Sequence, residues 1–253
     1  MNYHRLLNLV ISLGSVLLEN GAETYRVEES ILRIFQSHGV ENTEVFVIPS
    51  MLIVTIRPND TEKVYTQQKR IRSRGTDLTK ISEANDMCRY FCIHDLSLDE
   101  MEAAVQRIRK GPVYSQSTLY IAYAIAGACF SLFFGGSMMD AFVALFSGAL
   151  VKLIFDQMGK MGHNAFFTNV LASAVITLIA ELASISPLAV NMDTTIIGPM
   201  MLLVPGMALT TCMRDIIAGD YISSLVKMLE VIMIGLGVAL GAYLAMSAFA
   251  LVL

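Results

Sequence analysis

Basic residues all but vanish from this chain after Lys110: of 18 lysines and arginines, only Lys152, Lys160, Arg214 and Lys227 lie beyond it. Charged residues are 16% of the 253 and apolar ones 55%, against about 25% and 45–50% in soluble domains. Together with a mean hydropathy of +0.58, that imbalance excludes an ordinary soluble fold for the second half. The net charge of −4 offers no basic surface for nucleic acid. Cysteine is scarce as well. Cys88 and Cys92 are four apart, but no second Cys or His pair follows at zinc-like spacing, so no metal site and no disulfide framework is expected. No Gly-rich, Lys-containing phosphate loop appears, which argues against an ATP-driven pump, and no cofactor is expected. The first residues also lack the charged, apolar, small-residue order of a cleaved signal peptide.

What is present divides at Lys110-Gly111-Pro112. Residues 1–112 read as a small α+β domain. Leu6, Leu7, Val10, Ile11, Leu13, Val16, Leu17 and Leu18 recur at helical spacing, and Asn20-Gly21 is stop chemistry, with Gly21 able to take the left-handed backbone of a C-cap. A second helix runs from about Glu23 to Ser37, closing an αα-hairpin. The period then changes. Thr43 to Ile48, Met51 to Arg57 and a run through Val64, Tyr65 and Thr66 predict two or three antiparallel strands. Thr79 to Tyr90 and Ser97 to Arg109 return to helix, with Ser97 and Glu100 forming a capping box.

Residues 113–253 read as an all-α bundle of five transmembrane helices, at about 117–134, 138–158, 166–185, 194–213 and 222–253. The last is longer than one crossing needs. With the α+β domain in the cytoplasm, Lys160 and Arg214 fall in inside loops, and the outside loops, 135–137 and 186–193, hold no Lys or Arg. That is the positive-inside distribution, and it predicts a plasma-membrane protein with its N-terminus inside and its C-terminus outside.

Ionisable groups within spans are costly and are functional candidates by default. Glu181 is a candidate proton-coupling carboxylate, or a residue reaching the outer interface. Lys152 and Asp156 can neutralise one another at i and i+4, or sit near the inner interface with Lys152 snorkelling. Lys227 and Glu230 can pair likewise, and a lysine in a path would suit an anionic substrate. Asp140 reads as interfacial. Pro205-Gly206 breaks the fourth span, as in transporters whose broken helices line a cavity; Thr210, Thr211, Arg214 and Asp215 follow it. Asn164, Asn169 and His163 line an inner vestibule or wet the headgroups, whereas Gly235, Gly237 and Gly241 serve helix packing. In the α+β domain Glu23, Arg26, Glu28 and Glu29 cluster without catalytic spacing and read as a solvated face.

Gly21-Ala22-Glu23-Thr24-Tyr25-Arg26-Val27-Glu28, Arg74-Gly75-Thr76-Asp77-Leu78, Leu203-Val204-Pro205-Gly206 and Arg214-Asp215 together resemble the N-terminal-type component of the threonine/serine exporter family. The resemblance implies export of small metabolites, either threonine and serine or, in split systems, dicarboxylates such as succinate. It implies the larger subunit of a split exporter working with a smaller five-span membrane subunit, or a homo-oligomer. Glu23, Arg26, Glu28, Asp77, Pro205, Gly206, Arg214 and Asp215 enter as motif positions without assigned roles. The expectation is a proton-driven secondary exporter. A membrane-anchored enzyme with its chemistry in the α+β domain, and a sensor or scaffold, are the alternatives.

Overall fold

The computed structural model of the chain describes residues 2–94, 96–111, 114–162, 164–187 and 190–252. His163, Pro112 at the expected domain boundary and Leu253 at the expected end of the last span lie outside them. The chain forms two compact units, Met1–Pro112 with Gly206–Leu229, and Val113–Pro205 with Glu230–Leu253. The first unit therefore adds to the α+β domain a segment that the sequence pattern groups with the membrane half.

In the first unit, α1 (Tyr3–Glu19) and α2 (Thr24–Ser37) form the expected hairpin. Gly21, at φ +93°, makes the turn that a side chain would strain. Strands β1 (Asn42–Ile48), β2 (Met51–Arg57) and β3 (Tyr65–Arg70) make an antiparallel sheet in the order β1-β2-β3. Ile48 pairs with Met51 across Pro49-Ser50. Alternation along β2 puts Leu52, Val54 and Ile56 into the core. Helices α3 (Leu78–Ile93) and α4 (Leu98–Arg109) complete it, and α4 carries the expected Ser97–Glu100 capping box. Helix α1 is the hub. It touches α2, α3, α4, β2 and β3, and Leu6, Leu7, Val10, Ile11, Leu13 and Leu17 are buried around it.

Four described helices are long and apolar enough to cross a membrane: α5 (Gln116–Phe133), α6 (Met138–Lys160), α7 (Ala165–Ser184) and α10, whose apolar stretch is Tyr221–Leu251. The expected fourth span, 194–213, is not one helix. It is α8 (Met192–Met200) and α9 (Gly206–Ala218), each too short to span. Between them Leu202, Leu203 and Val204 donate to the carbonyls of Pro199, Met200 and Met201, three residues back. That tight turn ends at Pro205, which has no N–H to continue the ladder.

In the second unit α8 packs against α5, α6 and α7, and Val151, Ile154, Ala172, Ile176 and Leu203 form an apolar core. Close approaches depend on glycine. A Cβ at Gly198 would lie 2.7 Å from the Ser131 amide nitrogen, and one at Gly237 would lie 2.9 Å from the Phe166 carbonyl. A Cβ at Gly241 would overlap the Val170 carbonyl. Gly237 and Gly241 thus serve helix packing as expected. At Gly235 a Cβ would meet nothing of the described chain within 4 Å.

Overpacking a closed interface costs about 1–3 kcal/mol. Gly198→Ala is therefore expected to lower the thermal midpoint of the detergent-solubilised protein by several degrees. Gly235→Ala should leave it unchanged; equal midpoints for both variants would contradict this packing.

Candidate functional site

The stretches quoted above converge in the first unit. Helix α1 ends at Asn20, and the 74–78 stretch folds onto that end. The Gly75 N–H donates to the Glu19 carbonyl at 2.8 Å and the Asp77 N–H to the Asn20 carbonyl at 3.2 Å. Asp77 then caps α3, accepting from the Lys80 N–H at 3.1 Å. Its role is architectural.

The Gly21–Glu28 stretch meets α9 and the start of α10 (Tyr221–Val252). Glu23 accepts from the Arg214 guanidinium at 2.6 Å, with Arg26 at 3.9 Å. Asp215, fully buried, accepts the Thr24 N–H at 3.3 Å and the Lys227 ammonium at 2.7 Å. Its carboxylate sits on the first turn of α2, where unpaired N–H groups favour an anion. The Thr24 hydroxyl donates to Asp220 at 3.4 Å, the Val47 N–H to Glu28 at 2.9 Å, and the Ser223 hydroxyl to the Val47 carbonyl at 3.2 Å. The solvated-face reading is therefore corrected. Arg26 and Glu29 are exposed, but Glu23 and Thr24 are buried, because residues distant in sequence cover them.

Burial raises the Glu23 carboxyl, but the Arg214 hydrogen bond, its own backbone N–H and the nearby arginine charges outweigh it and hold it below the ordinary value. Glu28 goes the other way. Burial raises it, the Val47 N–H pulls back, and the charges of Asp220 and Asp215 add to the rise. Burial and the Asp215 charge likewise raise Asp220, against the Thr24 hydroxyl and Lys227.

The second unit holds a different kind of polarity. Asn169, Ser173, Thr177 and Glu181 recur every fourth residue along α7, and all four are buried. The Ser173 hydroxyl donates to the Val238 carbonyl at 2.6 Å, and the Asn169 amide to Ala165 at 2.8 Å. Among the described residues, Asn169 Oδ1, Thr177 Oγ1 and Glu181 Oε2 have no hydrogen-bond partner, nor has Ser131 Oγ on α5. Such groups are costly in a dry interior. On α6 the Lys152 ammonium is bonded to Asp156 and lies 6.0 Å from the ring centroids of both Tyr120 and Tyr123. Asp140 is 2% exposed. It accepts from the Ser137 and Asn191 N–H groups at 2.7 Å each, and from the Thr194 and Thr195 hydroxyls.

Most of the remaining candidates have partners within the chain. Asp140, expected near the outer end of its helix, is covered by the residues that open α8. The ion pair of Lys227 is with Asp215 on α9, whereas the expected partner was Glu230. Both candidate cations, Lys152 and Lys227, are neutralised by carboxylates of the chain itself. Thr210 and Thr211 donate to the carbonyls of Gly206 and Ala208 on their own helix. Pro205 ends the second unit's segment and Gly206 opens α9. Asn164 caps α7, accepting from the Phe166 N–H at 3.1 Å.

A family model described as "Putative threonine/serine exporter" matches residues 8–249. The chain belongs to this family. Among curated relatives, it is 21% identical over 244 residues to a "Probable threonine/serine exporter" of Mycobacterium tuberculosis (strain H37Rv), covering 95% of this chain and 46% of the relative. It is 24% identical over 246 residues to "Pheromone-regulated membrane protein 10" of Kluyveromyces lactis, covering 93% of this chain and 25% of that protein. The chain thus spans less than half the length of either relative. No solved structure matches it. Membership in an exporter family, together with four spanning-length apolar helices, identifies a multi-pass membrane protein of a transporter family rather than an enzyme.

Ser131, Ser173 and Thr177 were not among the sequence candidates. The readable signal for two of them was polar recurrence at four-residue spacing from Asn169 to Glu181, inside an otherwise apolar run.

Removing one partner of a buried ion pair costs about 3–5 kcal/mol, much more than replacing both. Lys227→Met should therefore unfold the solubilised protein at lower denaturant than the double variant Lys227→Met, Asp215→Leu; the reverse order would contradict the pairing. The two glutamates give opposite pH signs. The Glu23 contribution holds above the ordinary value of 4.5 and is lost as pH falls through its lowered pKa. The Glu28 contribution holds below 4.5 and is lost as pH rises through its raised one. Thermal midpoints measured against pH should lose their acid-side fall in Glu23→Gln and their higher-pH fall in Glu28→Gln.

Proposed function

We propose that this chain is one subunit of a secondary exporter that carries small polar metabolites out of the cell across the bacterial plasma membrane. The observation that carries the reading is the family match over residues 8–249, nearly the whole chain. The α+β domain lies on the cytoplasmic side, as the loop charges favour: Lys160 and Arg214 on one side, none in the described residues of the opposite loops. Helices α8 and α9, joined by the turn ending at Pro205, make the broken crossing that brings the total to five and leaves the C-terminus outside. Broken helices at bilayer depth are tolerated where they face protein or a cavity. The helices of the second unit line the path, and the proton gradient drives it.

More than half of the M. tuberculosis relative lies outside the region this chain covers. A second, smaller five-span subunit, or a second copy of this chain, supplies the missing part. The large apolar side chains exposed on α5 and α10, among them Ile121, Ile125, Leu236, Leu240 and Leu244, suit lipid or such a partner. Threonine and serine are the substrates favoured over a dicarboxylate such as succinate, because the buried lysines that would attract a dianion are already paired within the chain.

Cells loaded with threonine, serine or succinate, and expressing this chain with a small five-span partner, should release threonine and serine faster than cells expressing either alone. Release of none of the three above background would overturn the exporter reading, and release of succinate alone would reverse the substrate order.

A further inference from the structure

Thr177 and Glu181 sit one turn apart on α7, both at least nine-tenths buried, each with an oxygen that finds no partner. Side chains at i and i+4 stand side by side on a helix, about 5–6 Å apart at Cβ, so one small group between them reaches both oxygens. A carboxylate only accepts, and a hydroxyl can accept. Glu181 Oε2 receives no donor among the described residues, and beside a carboxylate a cationic donor binds best.

The second unit has little to offer from within. Its described basic residues are Lys152, held by Asp156, and Lys160, which is exposed. One turn below, the Ser173 hydroxyl is engaged with Val238, and the Asn169 amide donates to Ala165. Among the described residues of the second unit, no free buried basic side chain is left to supply that donor.

We propose that Thr177 and Glu181 form a binding site for the ammonium group of a small amino acid substrate. The proposal rests on the exporter reading and deepens it by placing the substrate on α7. An amino acid brings three N–H donors and a positive charge to two waiting acceptors. A dicarboxylate brings neither, and Glu181 would repel it. Asn169 Oδ1, two turns further along α7, is a second acceptor on the same line for a substrate in passage.

The test uses the full chain with its partner in proteoliposomes and reads two fluxes: exchange of radiolabelled threonine at equal pH on both sides, and net threonine flux driven by a pH gradient. Hydrogen bonds to charged groups carry enough energy that Glu181→Gln should weaken half-saturation of exchange by at least about tenfold. Thr177→Val should weaken it too, and Thr177→Ser, which keeps the hydroxyl, should restore it. An unchanged size-exclusion profile and thermal midpoint exclude misfolding, and Thr177→Ser against Thr177→Val decides the case if Glu181→Gln does not assemble. Unaltered exchange in both Glu181→Gln and Thr177→Val would overturn the proposal. So would loss of gradient-driven flux alone with exchange intact, which would make Glu181 a proton carrier instead. If the unaltered chain moves neither threonine nor serine, the exporter reading itself fails, and the site with it.

Discussion

Hydrocarbon supplies no hydrogen bonds, so every polar group taken into it must find its partner within the protein. The second unit meets that demand at many of its polar groups, with Ser131, Asn169, Thr177 and Glu181 the described exceptions. Ser115, Ser137, Asn164 and Asn191 each fold back to cap the helix that follows. Asp140 ties the first turn of α6 to the loop before α8 through four donors. Thr168 and Ser147 return their hydroxyls to carbonyls one turn back. Against so thorough a settlement, the unmet oxygens of Thr177 and Glu181 mark a place where structure alone does not account for the residues.

The first unit answers a different demand. A buried carboxylate is tolerable only with a counter-charge and further hydrogen bonds. Asp215 has both: Lys227 on one oxygen, and on the other the N–H of Thr24 at the positive end of α2. Glu23 and Arg214 form a second pair beside the first. Four charges from three helices are thereby tied across nearly 200 positions of sequence. Glu28 and Asp220 keep their protons more readily than ordinary carboxylates, first because they are buried and then because they share the neighbourhood with Asp215. The Gly21–Glu28 stretch and Arg214-Asp215 are thus the parts that hold α9 and the head of α10 to the α+β domain.

Local pattern was legible in the sequence, and distant pairing was not. The hairpin of α1 and α2 and the Ser97–Glu100 cap follow from neighbours a few residues apart, and each stands where periodicity and turn chemistry put it. The break at Pro205 was legible for the same reason. Glu23 looked solvated because nothing near it in sequence covers it; its cover is Arg214, 191 positions away. Lys227 suggested Glu230 by helical spacing, but Asp215 on the neighbouring helix supplies the ion pair. Asp140 was read from its place at a helix end, and nothing nearby in sequence announces that Asn191, Thr194 and Thr195 close over it. The polar line on α7 was present in the spacing of Asn169, Ser173, Thr177 and Glu181, although only its last member carries a charge that draws attention.

That spacing has a geometric corollary. An α-helix turns about 100° per residue, so each step of four overshoots a full circle by about 40°. From Asn169 to Glu181 the line climbs about 18 Å and swings through roughly 120°, tracing a spiral around α7 instead of a straight stripe. Ser173 already answers to α10 through Val238, so the upper members of the line face a different flank of the helix. Any solute handed along these rungs must also travel sideways around α7, as on a banister, and a modest roll of that one helix would exchange which rung it meets.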